Sequence, residues 1–277
     1  MKLSNIIVNG APHVAVWAGE KLVDAAAAGF KYSIDEVYGG AGLEELRAIA
    51  ADAALPAVEA PVWGNVKNHI DKVICVAMNY QQHAINTGWK VPDYPQFFNK
   101  YADCVVPCGA SVELPPYEDT YDYEAEIVIV IGKDTWQVPI EEAKDHIFGY
   151  TCGNDLSCRG VQKRTPQWML GKNFPGFAPA GPVVVTADEF DPDEPHSIRS
   201  HVNGELRQDG VSTDMIFKAA YLVSYTSKYV HFHPGDMIFT GTPAGVAMEG
   251  EKPKWLKPGD VVDIDIEGLG HLRNTMR

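Results

Sequence analysis

Residues 122–134, DYEAEIVIVIGKD, decide the fold class of this chain and raise the first question about its function. Five consecutive β-branched residues (127–131) are typical of a strand that is buried on both faces of a sheet. Alternate side chains of a strand point to opposite faces, so Glu124 and Glu126 share one face, about 7 Å apart, with Val128 and Val130. The two glutamates either face water at a solvated strand end or converge on a cation, because a buried carboxylate needs a partner or a metal.

The composition is that of an ordinary globular protein with an acidic charge balance. The 277 residues are 45% hydrophobic and carry a formal net charge of −14. This charge opposes binding to nucleic acids and to anionic membranes, which both require clustered Lys and Arg. No apolar run approaches the roughly 20 residues of a membrane span, so we expect a cytoplasmic protein without nucleic-acid or membrane partners. The five cysteines lack paired C-x-x-C spacing, which predicts free thiols and neither a disulfide framework nor a zinc site.

The patterning of the chain changes near residue 69. Residues 1–68 combine short strand-like runs with GLEELRAIAADAAL (42–55), whose apolar residues recur at helical spacing, and we interpret them as a small α/β N-terminal domain. Residues 69–277 are rich in strands and turns, and their one clear helix lies in STDMIFKAAYLVSYTSKY (212–229), where Thr213 can cap its start. Strands do not alternate with long helices, which predicts an α+β, mainly β, architecture rather than a doubly wound sheet.

A third carboxylate and a lysine follow the glutamates along the chain. In FGYTCGNDLSCRGVQ (148–162), Asp155 stands between a strand and a short helix, with Arg159 and Gln162 at one-turn spacings after it. Asp155 is either an ordinary N-cap of that helix or a further member of a carboxylate cluster. Lys172, in the loop GKNFPG, is either a solvent-facing lysine or an ammonium held near such a cluster.

Eight segments, in this order and spacing, form the most specific signal in the chain. They are ICVAMNYQQHA, PQFFNK, DYEAEIVIVIGK, GYTCGNDLSCRGVQ, QWMLGKNF with GFAPAGPVVVT, HVNGELRQDGVSTDMIF, PGDMIFTGTPAGV and LKPGDVVDIDIEGLG. Together they resemble the fumarylacetoacetate hydrolase family over most of residues 69–277. The subgroup that looks most similar has a small N-terminal domain and includes diketo sugar acid and acylpyruvate hydrolases and 2-hydroxyhepta-2,4-diene-1,7-dioate isomerases. The resemblance implies a mixed β-sandwich roll and a homodimer.

The resemblance also implies a metal-dependent site for 2-oxo or 2,4-diketo acids. The family binds Mg²⁺ or Mn²⁺ through three carboxylates, which match Glu124, Glu126 and Asp155 here. Hard oxygen ligands without Cys or His suit these two ions. The remaining roles are implied by position, with Lys172, Gln162 and His83 matching catalytic residues and Arg159, Thr242 and Lys100 matching residues expected to bind substrate.

One segment departs from the family pattern. After the NY motif, family hydrolases commonly carry a His that activates water and, three residues on, a Glu that orients it. In this chain NYQQHAINTG has His83 but places Asn86 at the partner position. A neutral amide cannot stabilise an imidazolium as a carboxylate does, so either Asn86 orients the neutral ring or another acid, such as Asp93, replaces the missing Glu.

Three functions therefore remain open. The first expectation is a catabolic Mg²⁺- or Mn²⁺-dependent hydrolase that cleaves a carbon–carbon bond in a 2,4-diketo acid. The alternative, favoured by Asn86, is an isomerase, tautomerase or decarboxylase of a 2-oxo acid on the same metal site. The third is a catalytically lapsed metal-binding subunit, against which the intact carboxylates and Lys172 argue.

Overall fold

The computed structural model describes residues 1–88, 90–250 and 252–277, and most of the regular structure is β-strand. In chain order the strands are β1 (Lys2–Val8), β2 (Ala11–Ala18), β3 (Lys21–Asp24), β4 (Val73–Ala77), β5 (Gln96–Lys100), β6 (Val105–Val106), β7 (Ser111–Val112), β8 (Tyr121–Asp122), β9 (Ala125–Ile131), β10 (Ile147–Asn154), β11 (Ser157–Cys158), β12 (Ala178–Pro179), β13 (Val183–Thr186), β14 (Ser197–Val202), β15 (Glu205–Val211), β16 (Met237–Phe239), β17 (Val261–Ile266) and β18 (Gly270–Met276). The α-helices are α1 (Ile34–Tyr38), α2 (Leu43–Ala51), α3 (Gln81–Thr87), α4 (Arg159–Gln162), α5 (Met169–Lys172) and α6 (Ala219–Ser227). Short 3₁₀ turns occupy Ala102–Cys104, Ala143–His146 and Ser212–Asp214.

Two mixed sheets carry the fold of the described residues. The larger sheet has nine strands in the order β3-β2-β1-β13-β10-β9-β16-β4-β5, and only its β16–β4 pair is parallel. The smaller sheet has five strands in the order β15-β14-β17-β18-β7, with β7 parallel to β18. This architecture confirms the prediction of an α+β, mainly β, protein built on mixed sheets.

The first 68 residues contribute strands to the larger sheet. β1 pairs antiparallel with β13, so β1, β2 and β3 continue the sheet beyond its centre. Helices α1 and α2 place apolar side chains, such as Val37 and Leu46, in the core on one face of that sheet. The change of pattern near residue 69 falls in irregular chain between α2 and β4, and the division into domains stays a prediction.

Strand β9 is buried on both faces, as its sequence predicts. Ile127, Ile129 and Ile131 belong to the core cluster that also contains side chains of the smaller sheet. Val128 and Val130 belong to the cluster on the opposite face, beneath α1 and α2. The period-two alternation of a strand explains this separation of the two sets of side chains.

The pairing of the central strands brings three distant chain segments to one edge of the sheet. β9 and β10 are antiparallel with Glu126 opposite Gly153, so the start of β9 lies beside the end of β10. β16 is also antiparallel to β9, so the chain leaves β16 at the same edge. Gly153 permits this packing, because a Cβ there would lie 2.4 Å from a methyl group of Val128.

The predicted helices form, but one begins later than expected. α2 lies inside the predicted segment 42–55. In the segment 212–229 the α-helix begins only at Ala219, and Lys218 rather than Thr213 is its N-cap. The five cysteines are unpaired, and four of them are buried. In the part of the chain that the structure describes, no helix is long and apolar enough to cross a membrane.

Candidate active site

Three buried carboxylates meet at the edge where β9, β10 and β16 converge. Glu124 precedes β9, Glu126 lies within it, and Asp155 directly follows β10. Each residue is at most 6% exposed, and one oxygen of each lies within 4.8 Å of the other two. The glutamates therefore do not occupy a solvated strand end. Asp155 does not cap α4 either, because the N-cap of that helix is Cys158.

Two cations neutralise part of this cluster. The ammonium of Lys172 donates to Glu124 Oε2 at 2.6 Å and to Asp155 Oδ2 at 2.8 Å, and Arg159 donates to Glu124 Oε1 at 2.6 Å. Burial alone would raise the pKa of Glu124, but the charges of Arg159 and Lys172 hold it well below its usual range. Burial would lower the pKa of Lys172, but Asp155 and Glu124 raise it instead. Both sides of this ion pair are therefore charged near neutral pH.

Glu126 has no comparable partner. Its Oε2 accepts the backbone N–H of Gly241 at 2.8 Å, and no ion pair to it forms among the described residues. Burial, followed by the charges of Asp155 and Glu124, holds the pKa of Glu126 well above its ordinary value. Gly241 has φ +96°, and a Cβ there would lie 2.9 Å from Asn79, so glycine is needed for this close approach. Of the three carboxylates, Glu126 is thus the one whose negative charge is least compensated by neighbouring cations.

The donor set fits a hard divalent cation. Three carboxylate side chains, without a sulfur or imidazole among them, are the ligands that Mg²⁺ and Mn²⁺ prefer. With Asp122 included, four buried carboxylates face the three buried cations Lys100, Arg159 and Lys172, which leaves one negative charge. A divalent ion would compensate the repulsion that raises the pKa of Glu126. Glu124, Glu126 and Asp155 are the residues that would hold it.

Lys100 was predicted to bind substrate, but the structure places it behind Asp155. Its Nζ donates to the carbonyl oxygens of Leu156, Lys172 and Phe177 at 3.0, 2.6 and 2.7 Å, and lies 2.7 Å from Asp155 Oδ1. The side chain is fully buried and does not line the cavity formed by the described residues. An ammonium has three N–H donors, and here protein oxygens use all three. Lys100 therefore positions Asp155 and the end of α5, and a contact with substrate is not supported.

Arg159, Gln162 and Thr242 all line the same cavity, as predicted residues of the site should. Arg159 joins neighbouring chain segments by hydrogen bonds. Its Nε donates to Asp122 at 2.8 Å, and its two terminal nitrogens donate to Glu124 and to Gln162 Oε1. Burial would lower the pKa of Arg159, but the two carboxylates raise it above its ordinary value. Gln162 keeps its amide N–H groups for other partners, since its oxygen takes the bond from Arg159.

His83 faces these residues across the cavity and is paired with an acid that the sequence did not reveal. Its Nδ1 lies 2.5 Å from Oε1 of Glu249, which belongs to the loop after β16. Asn86 does not bond to the His83 ring; its side-chain amide donates instead to Glu249 Oε2 at 3.3 Å. Asp93 is an exposed partner of Lys90, 3.5 Å away, and not of His83. The carboxylate that Asn86 lacks is thus supplied from elsewhere in the chain.

Two residues of the site, Asp122 and Glu249, were missed in the sequence. Asp122 accepts the guanidinium of Arg159 and also the backbone N–H groups of Ala247 and Met248, at 2.6 and 3.2 Å. Its position two residues before Glu124 on a strand-like pattern is a signal that could have found it. Glu249 lies 166 positions from His83, and no local pattern marks it as the partner.

The cavity joins the carboxylates to His83 and is otherwise largely apolar. Its apolar wall is formed by Val76, Ala77, Met78, Phe98, Trp168 and Met248. Lys163 also lines it, and the described residues provide no carboxylate partner for its ammonium. An apolar cleft with a few convergent polar groups is the usual form of a small-molecule site.

Comparison with known proteins agrees with this geometry. Residues 72–277 match the family model described as fumarylacetoacetate (FAA) hydrolase C-terminal. The chain belongs to this family. The match confirms the resemblance that the eight segments indicated, and the members of this family are enzymes.

The relatives of this fumarylacetoacetate hydrolase family member include more than one type of enzyme. The mitochondrial oxaloacetate tautomerase fahd2 of Xenopus laevis is 40% identical over 210 residues, which cover 74% of this chain and 65% of the relative. The match thus spans just under two thirds of that relative's length. The structure of fumarylacetoacetate hydrolase from psychrophilic Exiguobacterium antarcticum superposes with a TM-score of 0.87 at 31% identity, over 100% of this chain and 99% of the other. Fumarylpyruvate hydrolase from Pseudomonas aeruginosa, in complex with Mn²⁺ and pyruvate, has a TM-score of 0.68 at 32% identity, over 79% of this chain and 92% of the other.

Proposed function

We propose that this protein is a Mg²⁺- or Mn²⁺-dependent enzyme that interconverts the keto and enol forms of a 2-oxo dicarboxylic acid. The observation that carries the proposal is the single cavity lined by both the three buried carboxylates and His83. Tautomerisation is favoured over other enol chemistry because a relative that is 40% identical to this chain is an oxaloacetate tautomerase. The cytoplasmic location and the homodimer stay predictions.

The residues of the cavity provide what proton transfer at C3 requires. Glu124, Glu126 and Asp155 would hold Mg²⁺ or Mn²⁺, which would supply a Lewis acid for the 2-oxo carbonyl. His83 has its Nδ1 on Glu249, which leaves Nε2 to take the C3 proton. Two N–H bonds of Lys172 are directed at Glu124 and Asp155, and its third is left to donate to a substrate oxygen. Loss of the C3 proton and protonation of the 2-oxygen convert the keto form into the enol.

The charges of the site favour a substrate with two carboxylates. The buried groups leave one negative charge, so a divalent ion brings the balance to one positive charge, and the carboxylate next to the 2-oxo group neutralises it. A second carboxylate would require a further cation. Lys163 lines the cavity wall, and the described residues offer its ammonium no carboxylate. We assign Lys163 to the distal carboxylate of the substrate.

Carbon–carbon hydrolysis of an acylpyruvate is the second candidate. The departure at Asn86 argued against hydrolysis because it removed the carboxylate that supports a water-activating histidine. The contact between His83 and Glu249 restores such a pair, so that argument no longer holds. Two of the similar solved structures are hydrolases, which supports the same candidate.

Proton NMR in D₂O distinguishes the candidates. Oxaloacetate and acetylpyruvate are each followed with Mg²⁺ and again with EDTA, against a reaction without enzyme, for exchange at C3 and for formation of pyruvate. His83→Ala is compared with His271→Ala, which removes an exposed histidine on β18. Exchange of oxaloacetate that requires Mg²⁺ and is lost only in His83→Ala supports the tautomerase. Pyruvate from acetylpyruvate supports the hydrolase, and pyruvate from oxaloacetate above the uncatalysed rate indicates a decarboxylase. Neither exchange nor cleavage above background would refute the proposal.

A further inference from the structure

A second group of metal-ligating side chains lies on the surface, outside the cavity. In the part of the chain that the structure describes, three such side chains converge at two places, at the buried carboxylates of the cavity and at Asp134, His231 and His233. We propose that the second group, here called the surface triad, binds a Zn²⁺ ion. This ion would join the segment that follows β9 to the segment that precedes β16.

The backbone determines where the side chains of the surface triad point. Thr135 and Phe232 form an isolated antiparallel bridge, in which each N–H donates to the carbonyl oxygen of the other, at 2.9 and 3.0 Å. Both of their side chains are fully buried. Alternate side chains of extended chain point to opposite faces, so the neighbours Asp134, His231 and His233 are turned to the outside of this bridge. Packing of the core therefore brings the three ligands together.

The distances within the surface triad fit one small ion. Asp134 Oδ1 lies 2.9 Å from His231 Nε2, and Asp134 Oδ2 lies 3.2 Å from His233 Nδ1. The centroids of the two imidazole rings are 4.6 Å apart, and one ligand atom of each residue lies within 4.8 Å of the other two. Ligand atoms at about 2.0–2.1 Å from a tetrahedral Zn²⁺ are about 3.3 Å from one another. Small rotations of these exposed side chains would bring all three onto one ion.

The donor set distinguishes the surface triad from the buried carboxylates. Two imidazoles and one carboxylate suit Zn²⁺ and related transition metals, whereas Mg²⁺ prefers oxygen ligands alone. Three protein ligands leave the fourth position of a tetrahedral Zn²⁺ to water. The sequence predicted no zinc site because its cysteines lack paired spacing, and the surface triad contains no cysteine. The two groups should therefore select different ions.

The surface triad lies at the end of the central strands that is remote from the cavity. β9 and β16 are antiparallel, so the chain leaving β9 and the chain entering β16 meet at one edge, while Glu126 lies at the other. The strand from Glu126 to Ile131 extends about 17 Å. Asp134 and His231 are 97 positions apart and meet only in the folded chain. An ion at the surface triad would therefore stabilise the paired strands and would not contact substrate.

Binding of Zn²⁺ would change the tautomers of both rings. In the structure His231 Nε2 and His233 Nδ1 face the carboxylate of Asp134. A carboxylate only accepts hydrogen bonds, so in the neutral rings these nitrogens carry the protons. A nitrogen that binds a metal carries none, so the protons would move to Nδ1 of His231 and Nε2 of His233. This exchange of tautomers is a spectroscopic signature of the site.

The test titrates the protein with Zn²⁺ by calorimetry, in excess Mg²⁺ that competes for the buried carboxylates. We expect His231→Gln/His233→Gln to bind one equivalent of Zn²⁺ less than the native protein, and Asp134→Asn to weaken this binding at least about tenfold. His271→Gln is the matched control and should bind as the native protein does. His271 is as exposed as His231, at 47%, but its two carboxylate partners lie on different ring nitrogens, so one ion cannot bind the ring and both partners.

Two further readouts use the same variants. With Zn²⁺ at about one hundred times its dissociation constant, the unfolding temperature of the native protein should rise by roughly 5 °C, and that of His231→Gln/His233→Gln by about 1 °C or less. In protein labelled with ¹⁵N-histidine, Zn²⁺ should change the tautomers of His231 and His233 and leave that of His271 as it is.

Several results would overturn the inference. Equal binding of Zn²⁺ by the native protein and His231→Gln/His233→Gln would exclude the surface triad. An equal loss in His271→Gln would show binding by exposed histidines in general, and unchanged affinity in Asp134→Asn would exclude the carboxylate as a ligand. Unchanged tautomers of both rings in saturating Zn²⁺ would contradict metal binding at these nitrogens. These measurements use no substrate, so their outcome does not depend on the proposed function.

Discussion

Glu126→Gln tests the metal site without relying on turnover. In the metal-free protein, burial and the charges of Asp155 and Glu124 hold the pKa of Glu126 well above its ordinary value of 4.5. The unfolded chain loses this proton at lower pH than the folded protein does. Stability therefore decreases as the pH rises from about 4.5 towards the raised pKa, by about 1.4 kcal/mol per pH unit for one proton. The amide of the variant cannot ionise, yet its oxygen can still accept the N–H of Gly241.

Thermal unfolding in EDTA measures this effect. We expect Glu126→Gln to become more stable than the native protein as the pH rises above about 4.5, with the difference in unfolding temperature growing by roughly 2–3 °C per pH unit inside the titration window. Glu20→Gln removes the same charge at the exposed turn between β2 and β3 and should show no such trend. The comparison of variants cancels the other groups that titrate in this range.

Addition of metal should reverse the order of stability. Mg²⁺ or Mn²⁺ at about one hundred times its dissociation constant stabilises the native protein by about 2.7 kcal/mol, or roughly 5 °C for a chain of this size. Glu126→Gln should gain little, because it has lost one of three charged ligands. A difference in EDTA that does not depend on pH would refute the charge argument. Equal stabilisation of both proteins by metal would refute the assignment of Glu126 as a ligand.

Two further changes test residues whose roles follow from their contacts. Lys163→Gln should raise KM for oxaloacetate about two- to fivefold, the size expected for an exposed ion pair, and should leave KM for a 2-oxo monocarboxylate unchanged in steady-state kinetics. Equal effects on both substrates would exclude a contact with the distal carboxylate. Lys100→Met should lower the free energy of unfolding by about 3–5 kcal/mol in denaturant titrations, because Asp155 and three carbonyl groups lose their buried partner; an unchanged unfolding midpoint would contradict this.

The fold and the carboxylate cluster were accessible from the sequence because their signals are local. Five β-branched residues in a row identify a strand buried on both faces, and the alternation along it places Glu124 and Glu126 together with Val128 and Val130. The eight collinear segments then added Asp155 from the neighbouring strand. The backbone pairing of β9 with β10 brings Asp155 next to the two glutamates, as expected, and leaves these side chains little freedom to lie elsewhere.

The residue at which α6 begins could not be predicted from the local sequence, because contacts with a distant residue determine it. The apolar positions of the segment 212–229 have a helical period that includes Met215 and Ile216. In the structure, however, Asn79 accepts the backbone N–H groups of Ile216 and Phe217 and donates to Phe217 O. These tertiary hydrogen bonds use groups that a helix would need, so the α-helix begins only after them.

The roles of Lys100 and Glu249 were missed for a related reason. A lysine in a matching segment can reach a substrate or a protein carbonyl, and only the packing of α5 against β5 shows that Lys100 meets three carbonyl groups. Glu249 lies three residues beyond the segment PGDMIFTGTPAGV, and its role follows only from its contact with His83 of α3, on the other side of the cavity.

The two halves of the site differ in what holds them in place. The carboxylates lie on paired strands and are braced by Arg159 and Lys172, so this half is assembled before any substrate arrives. His83 lies on a seven-residue helix, and its ring is held by Glu249 of the loop after β16. The negative charge that remains near Glu126 favours binding of a divalent cation. With this cation bound, the net charge of the site is positive, which favours an acidic substrate. In this order of binding the cation prepares the carboxylate half of the site for the 2-oxo acid group, and the substrate then lies between that half and His83, which lines the other side of the same cavity.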